Sequence, residues 1–178
     1  MSSYTEQDLA DALGKAYAGE LASMRAYQLL SRDVGWTTAG HIEEDIRVDA
    51  QEEFNHSQQY ADMLETMGRE VSDHAQQHNY DAIVPDDHTD VEAALAGVWY
   101  LENDGMDLDQ EIIDIARATG YQDFVNQVGT ILGDERAHRN EVEEYLEDAF
   151  GWEQPDFDGL ASLDEFSEYD PDVEPRNL

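Results

Sequence analysis

The stretch IRVDAQEEFNHSQQY, residues 46–60, carries polar groups where a helix should be apolar. Counted at helical spacing, one face reads Ile42, Ile46, Asp49, Glu53, His56, Tyr60, Met63 and Met67. In Glu53-Phe54-Asn55-His56 the first and last side chains neighbour each other, because residues three apart share a helix face. The pattern returns as Glu135-Arg136-Ala137-His138, on a face with Phe124, Val128, Ile131, Val142, Tyr145 and Ala149. Two further apolar faces carry a lone glutamate. One is Leu9, Leu13, Ala16, Glu20, Ser23, Tyr27 and Leu30; the other is Val91, Leu95, Val98, Glu102, Gly105, Asp109, Ile113 and Ala116.

Four long helices are therefore predicted: about Glu6–Asp33, Thr38–Met67, Val91 to near Gly120, and Tyr121–Phe150. Thr5-Glu6-Gln7-Asp8 resembles a capping box with aspartate in the fourth place, and Thr89-Asp90-Val91-Glu92 reads as another. Gly68 suits a helix end that needs a left-handed residue. Gly97, Gly105, Gly129 and Gly133 fall inside helices, each weakening propensity by about 1 kcal/mol relative to alanine. The connection from Arg69 to His88 is polar and about 20 residues long, enough to travel the length of a bundle or hold a short helix. Short links within pairs and one long crossover between them give an all-α four-helix bundle of two antiparallel hairpins over residues 1–150. Residues 151–178 form an acidic C-terminal extension rich in proline, with a short helical turn expected at Leu160–Phe166 and weak order beyond it.

The chain has 178 residues, enough for one core without staples. Cysteine is absent, which excludes disulfides, thiolate zinc sites, iron–sulfur clusters and cysteine nucleophiles. No run of about 18 apolar residues marks a membrane span, and MSSYTEQDLADALGK lacks the basic-then-apolar order of a signal peptide. A soluble, cytoplasmic protein is expected, with no membrane partner. Against 43 Asp and Glu stand 9 Lys and Arg, for a net charge of −34. That field repels phosphate backbones, so no nucleic-acid partner is expected, and it draws in cations. Spread along the whole chain, most of the acids read as a solvated surface suited to a halophile's salt-rich cytoplasm, where ions screen self-repulsion.

On the core stripes the acids need another account. Four ionised carboxylates facing one interior repel each other and lose their hydration. Two divalent cations cancel four such charges, and oxygen plus imidazole donors without thiolate suit iron or manganese. The predicted metal ligands are Glu20, Glu53, His56, Glu102, Glu135 and His138. Glu20 with His56 would hold one ion and Glu102 with His138 the other, with Glu53 and Glu135 bridging. A single Glu-x-x-His is common in acidic helices; two of them, with a glutamate on each partner helix, are not. Tyr27, two turns after Glu20, is either a catalytic neighbour of the metals or a core tyrosine. Asp49 and Asp109 also fall on stripes, but nearer the helix ends, where solvent access is the simpler expectation. His41, His74, His78 and His88 are expected at the surface, and Trp36, Trp99 and Trp152 in packing or subunit contacts.

These motifs resemble the ferritin-like superfamily and, within it, bacterioferritin. The resemblance covers roughly Leu9 to Phe150 and includes the 33-residue step from Glu102 to Glu135 and the tyrosine at Tyr27. It implies a ferroxidase: Fe²⁺ is oxidised by O₂ or H₂O₂ at a centre of two iron ions per chain, and ferric mineral is stored in a homo-oligomeric cage, 24-subunit or dodecameric. Bacterioferritins place a haem-ligating methionine where this chain has Phe54, which has no donor atom, so haem is not expected there. Val48 stands where some members have an inner-surface histidine. A dodecamer similar to the archaeal DNA-protection-like ferritins is the competing assembly. Rubrerythrin-like peroxide-scavenging proteins are similar in chemistry, but typically carry a carboxylate where Gly105 stands. A third reading is an acidic structural bundle or partner-binding module.

Overall fold

The computed structural model describes residues 4–34, 43–74 and 91–161. Among these residues there are six helices and no strand: α1 Glu6–Val34, α2 Glu43–Thr66, α3 Val71–His74, α4 Val91–Thr119, α5 Gln122–Phe150 and α6 Gln154–Ala161. The predicted start of the second helix at Thr38, His41, Ile42, Trp36, the Thr89-Asp90 cap, His78 and His88 lie outside the described residues. His74 closes α3, within the connection predicted to have room for a short helix.

The helix ends follow from local chemistry. Thr5 N–H donates to Asp8 Oδ2 at 2.7 Å and Asp8 N–H to Thr5 Oγ1 at 3.2 Å, the reciprocal capping read from the sequence. Between α4 and α5 the chain turns at Gly120, whose φ of +91° favours glycine, and Tyr121 N–H donates back to Ala116 C=O.

α1 packs along α2 and α4 along α5, and the two pairs meet mainly through α1 and α4. Two apolar clusters give the directions. One joins Ala26, Tyr27 and Leu30 to Ile46, Leu95, Trp99 and Leu146; the other joins Leu9 and Leu13 to Met63, Ile112, Ile115 and Val128. The end of α1 thus meets the start of α2, and the end of α5 meets the start of α4, so both hairpins are antiparallel. The core is apolar at both ends of the bundle, and the polar stripe residues lie in the layer between.

The extension carries a helix at Gln154–Ala161, ahead of most of the turn expected at Leu160–Phe166, and Phe157 anchors it. That ring is buried between Trp99 and Trp152, with centroids at 5.3 and 5.2 Å. Residues 162–178, including Leu163–Phe166, lie outside the described residues. Ala149, predicted on the fourth stripe, is exposed.

Candidate metal centre

The middle layer brings all six predicted residues together. Glu20, Glu53, His56, Glu102, Glu135 and His138 come from four helices, and none is more than 7% exposed. Their ligand atoms form two overlapping sets, each with all atoms within 4.8 Å of one another. Glu20, Glu53, His56 and Glu135 make one; Glu53, Glu102, Glu135 and His138 make the other. Glu53 and Glu135 belong to both. The grouping has two shared carboxylates and one private glutamate–histidine pair on each side.

The pairing is crosswise. His56 Nδ1, on α2, lies 2.8 Å from Glu135 Oε1 on α5 and 3.9 Å from Glu20 Oε2. His138 Nδ1, on α5, lies 2.9 Å from Glu53 Oε1 on α2 and 4.0 Å from Glu102 Oε2. Close as they are, neither imidazole Nδ1 nor its facing carboxylate oxygen has a partner aligned as a hydrogen bond requires. Atoms that approach without aiming at each other behave as ligands aimed at a shared point, and adjacent donors around an octahedral ion with bonds of about 2.1 Å sit about 3 Å apart. The donor set and these orphaned atoms fit a pair of divalent cations.

Two functional side chains escaped the sequence reading. His138 Nε2 meets Glu52 Oε2 at 2.9 Å, and His56 Nε2 faces Asp134 Oδ2 at 3.5 Å. Each acid immediately precedes the glutamate of one motif and backs the histidine of the other, so the full pattern is acid-Glu-x-x-His. A carboxylate behind an imidazole takes its outer N–H and leaves the inner nitrogen's lone pair for a metal. The adjacent acids Glu52-Glu53 and Asp134-Glu135 were the available signal. In a chain so rich in acid it was drowned.

Asp49 and Asp109 correct the expectation of solvent access. Asp49 is 5% and Asp109 2% exposed. Helices of 24 and 29 residues extend well beyond the cluster, so positions one or two turns from it still face core. Asp109 Oδ1 accepts the Tyr60 hydroxyl, and Asp49 lies 3.8 Å from His138 Nε2. Tyr27 settles beside the cluster, its buried hydroxyl donating to Glu102 Oε1 at 2.7 Å. Trp99 and Trp152 pack on Phe157.

Without cations, protons do the neutralising. Burial, then the charges of Glu135 and Glu53, pushes Glu20 well above the usual carboxylate range. Burial does the same to Glu102, and it raises Glu53. Burial works against the His138 imidazolium, but Glu53 and Glu52 outweigh it and raise its pKa to about 10. His56 also rises, burial being outweighed by Glu135. Glu135 alone moves down, because His56, Glu102 and His138 overcome its burial. Cations entering this layer would displace protons.

Paired helix hairpins with inward carboxylates and imidazoles define the ferritin-like class of dinuclear metal proteins. Residues 11–146 match the family model for Rubrerythrin, and the chain belongs to that family, whose domains bind di-iron centres. No curated protein matches the chain. Among the described residues, no helix is long and apolar enough to cross a membrane.

Proposed function

We propose that this protein is a ferroxidase. It oxidises Fe²⁺ at its carboxylate–histidine layer, with O₂ or H₂O₂ as electron acceptor, and stores the ferric product as mineral inside a homo-oligomeric cage. The observation that carries this is the sharing of Glu53 and Glu135 between two ligand sets, which suits two ions held side by side. Iron bound there supplies the electron transfer, while the chain supplies position, charge and exclusion of water. Glu20 with His56 and Glu102 with His138 would each hold one ion, and Glu53 and Glu135 both. Glu52 and Asp134 fix the two rings, and the Tyr27 hydroxyl fixes Glu102. The apolar clusters on either side keep bulk water from the layer. An acidic surface that gathers Fe²⁺, in the salt-rich cytoplasm of a halophile, belongs to the same proposal. Anaerobic Fe²⁺ titration should saturate near two ions per chain, and air should then produce ferric absorbance and growing mineral. Saturation below one ion, or a particle no larger than a dimer, refutes the binding or the storage part respectively.

A second reading, peroxide reduction without mineral, has the family match in its favour. Counting retained iron after repeated cycles of Fe²⁺ and H₂O₂ separates the two: a storage protein accumulates it.

A further inference from the structure

The six ligands are not equally deep. Glu20 is 7% exposed, against 3% or less for the other five. A slot of about 30 Å³ between α1 and α4 reaches it, and its lining includes Gly19, Glu20, Ser23, Asp104, Gly105 and Glu135. Asp104 is exposed, so this lining runs from solvent to a carboxylate shared by both ligand sets. The volume suits about two waters, or one ion stripped of most of its shell. Gly105 keeps the slot open. A Cβ there would meet Glu135 Oε2 at 3.8 Å, an ordinary contact, so packing does not demand glycine. Helix propensity disfavours it. A longer side chain would occupy the slot.

Beside the slot lies a wider cleft of about 320 Å³, whose lining includes Tyr4, Asp8, Asp11, Lys15, Leu108 and Glu111. Lys15 and Leu108 line both spaces, so their side chains partition cleft from slot. The carboxylates follow in order of depth: Asp8 and Glu111 exposed, Asp11 half-buried, Glu20 and Glu135 buried. A cleft lined by one sign of charge concentrates counter-ions and speeds their arrival. Lys15 breaks the sign. It is the only lysine in the chain, whose other eight basic residues are arginines. A lysine is a compact point charge on a flexible stem. Among these acids its ammonium can stand in for an absent cation and swing aside when one arrives.

We infer that divalent cations enter the metal layer between α1 and α4, through this cleft and slot, and that Lys15 is the gate they displace. The inference rests on the metal layer of the proposed function and adds to it a point of entry and the residue that controls it. Lys15 is no ligand here. It acts on the rate at which the layer fills.

Stopped-flow absorbance of Co²⁺ binding to the metal-free protein tests this with no oxidation involved. Lys15→Met keeps the stem and drops the charge. It should still bind two Co²⁺ per chain but associate about threefold faster or more at low salt, the gain fading as salt rises. Arg47→Met makes the same charge change on α2 and should leave the rate within about 1.5-fold of the parent. Gly105→Leu fills the slot and should slow association about tenfold or more, with two ions still bound at equilibrium. Asp104→Asn removes charge from the rim without adding bulk near Glu135, and should slow it about threefold. Equal gains in Lys15→Met and Arg47→Met overturn the gate. An Asp104→Asn rate matching the parent's overturns the route, whatever the leucine variant does. A parent that binds no Co²⁺ pair overturns the metal layer of the proposed function, and the inference with it.

Discussion

The Glu102 half and the Glu20 half of the metal layer use the same residue types at the same spacing, yet one is more tightly supported than the other. Around His138 the supports are tight. Glu52 stands 2.9 Å behind the ring, Asp49 is nearby, and Tyr27 ties down Glu102. Around His56 they are looser, with Asp134, about as exposed as Glu52, at 3.5 Å and a slot beside Glu20. A near-symmetric ligand set is thus held in an asymmetric frame. The ligands set what can bind, while their neighbours set how firmly and from which side it is reached.

The severest test removes what the halves share. Glu53→Ala with Glu135→Ala should abolish the paired Co²⁺ spectrum and all ferroxidase activity. Next, Glu52→Gln should weaken the His138-side ion by about 10–100-fold, and Asp134→Asn the His56-side ion by less, in competitive chelator titrations. Equal losses would mean that the asymmetry of the supports carries no weight.

Acidity probes both halves at once. Asp49, raised by burial from 3.8 to about 7, and His138, raised from 6.5 to about 10, both keep protons in the folded chain that the unfolded chain gives up. The folded state then binds more protons, so stability falls as pH rises. The Asp49 contribution is present below about 3.8 and lost through 7; that of His138 is present below 6.5 and lost through 10. Glu20, Glu53, Glu102 and His56 act in the same sense and Glu135 opposes them. Metal-free protein should therefore melt lower at pH 9 than at pH 6, and divalent cations should stabilise it more at the higher pH. Smallest is Tyr27→Phe, which should cost about 1 kcal/mol in urea unfolding by leaving Glu102 without its donor.

Much of this was legible because a glutamate on an apolar stripe is an anomaly, and six anomalies at matching places admit few explanations. The bounds of the first, third and fourth long helices and the Thr5–Asp8 cap were equally plain. What stayed hidden depended on depth rather than pattern. Asp49 and Asp109 look like helix-end acids until the neighbouring helices are seen to run past them. Glu52 and Asp134 look like two more surface charges in a chain with 43 acids. The position of the helix at Gln154–Ala161 was not legible, because it depends on Phe157 finding Trp99 and Trp152, a contact no local period announces.

The crosswise pairing of His56 with Glu135 and His138 with Glu53 also bears on how the halves of the molecule cohere. α1 and α4 form a broad seam, like the spine of a book, whereas α2 and α5 scarcely touch. At that fore-edge the imidazole–carboxylate crossings serve as the clasp, and each pair of covers carries half of it. Loading the layer with cations would fasten the clasp, and stripping them would let the pages part there first. Backbone amides of α2 and α5 should then exchange with solvent faster than those of α1 and α4 when the metals leave.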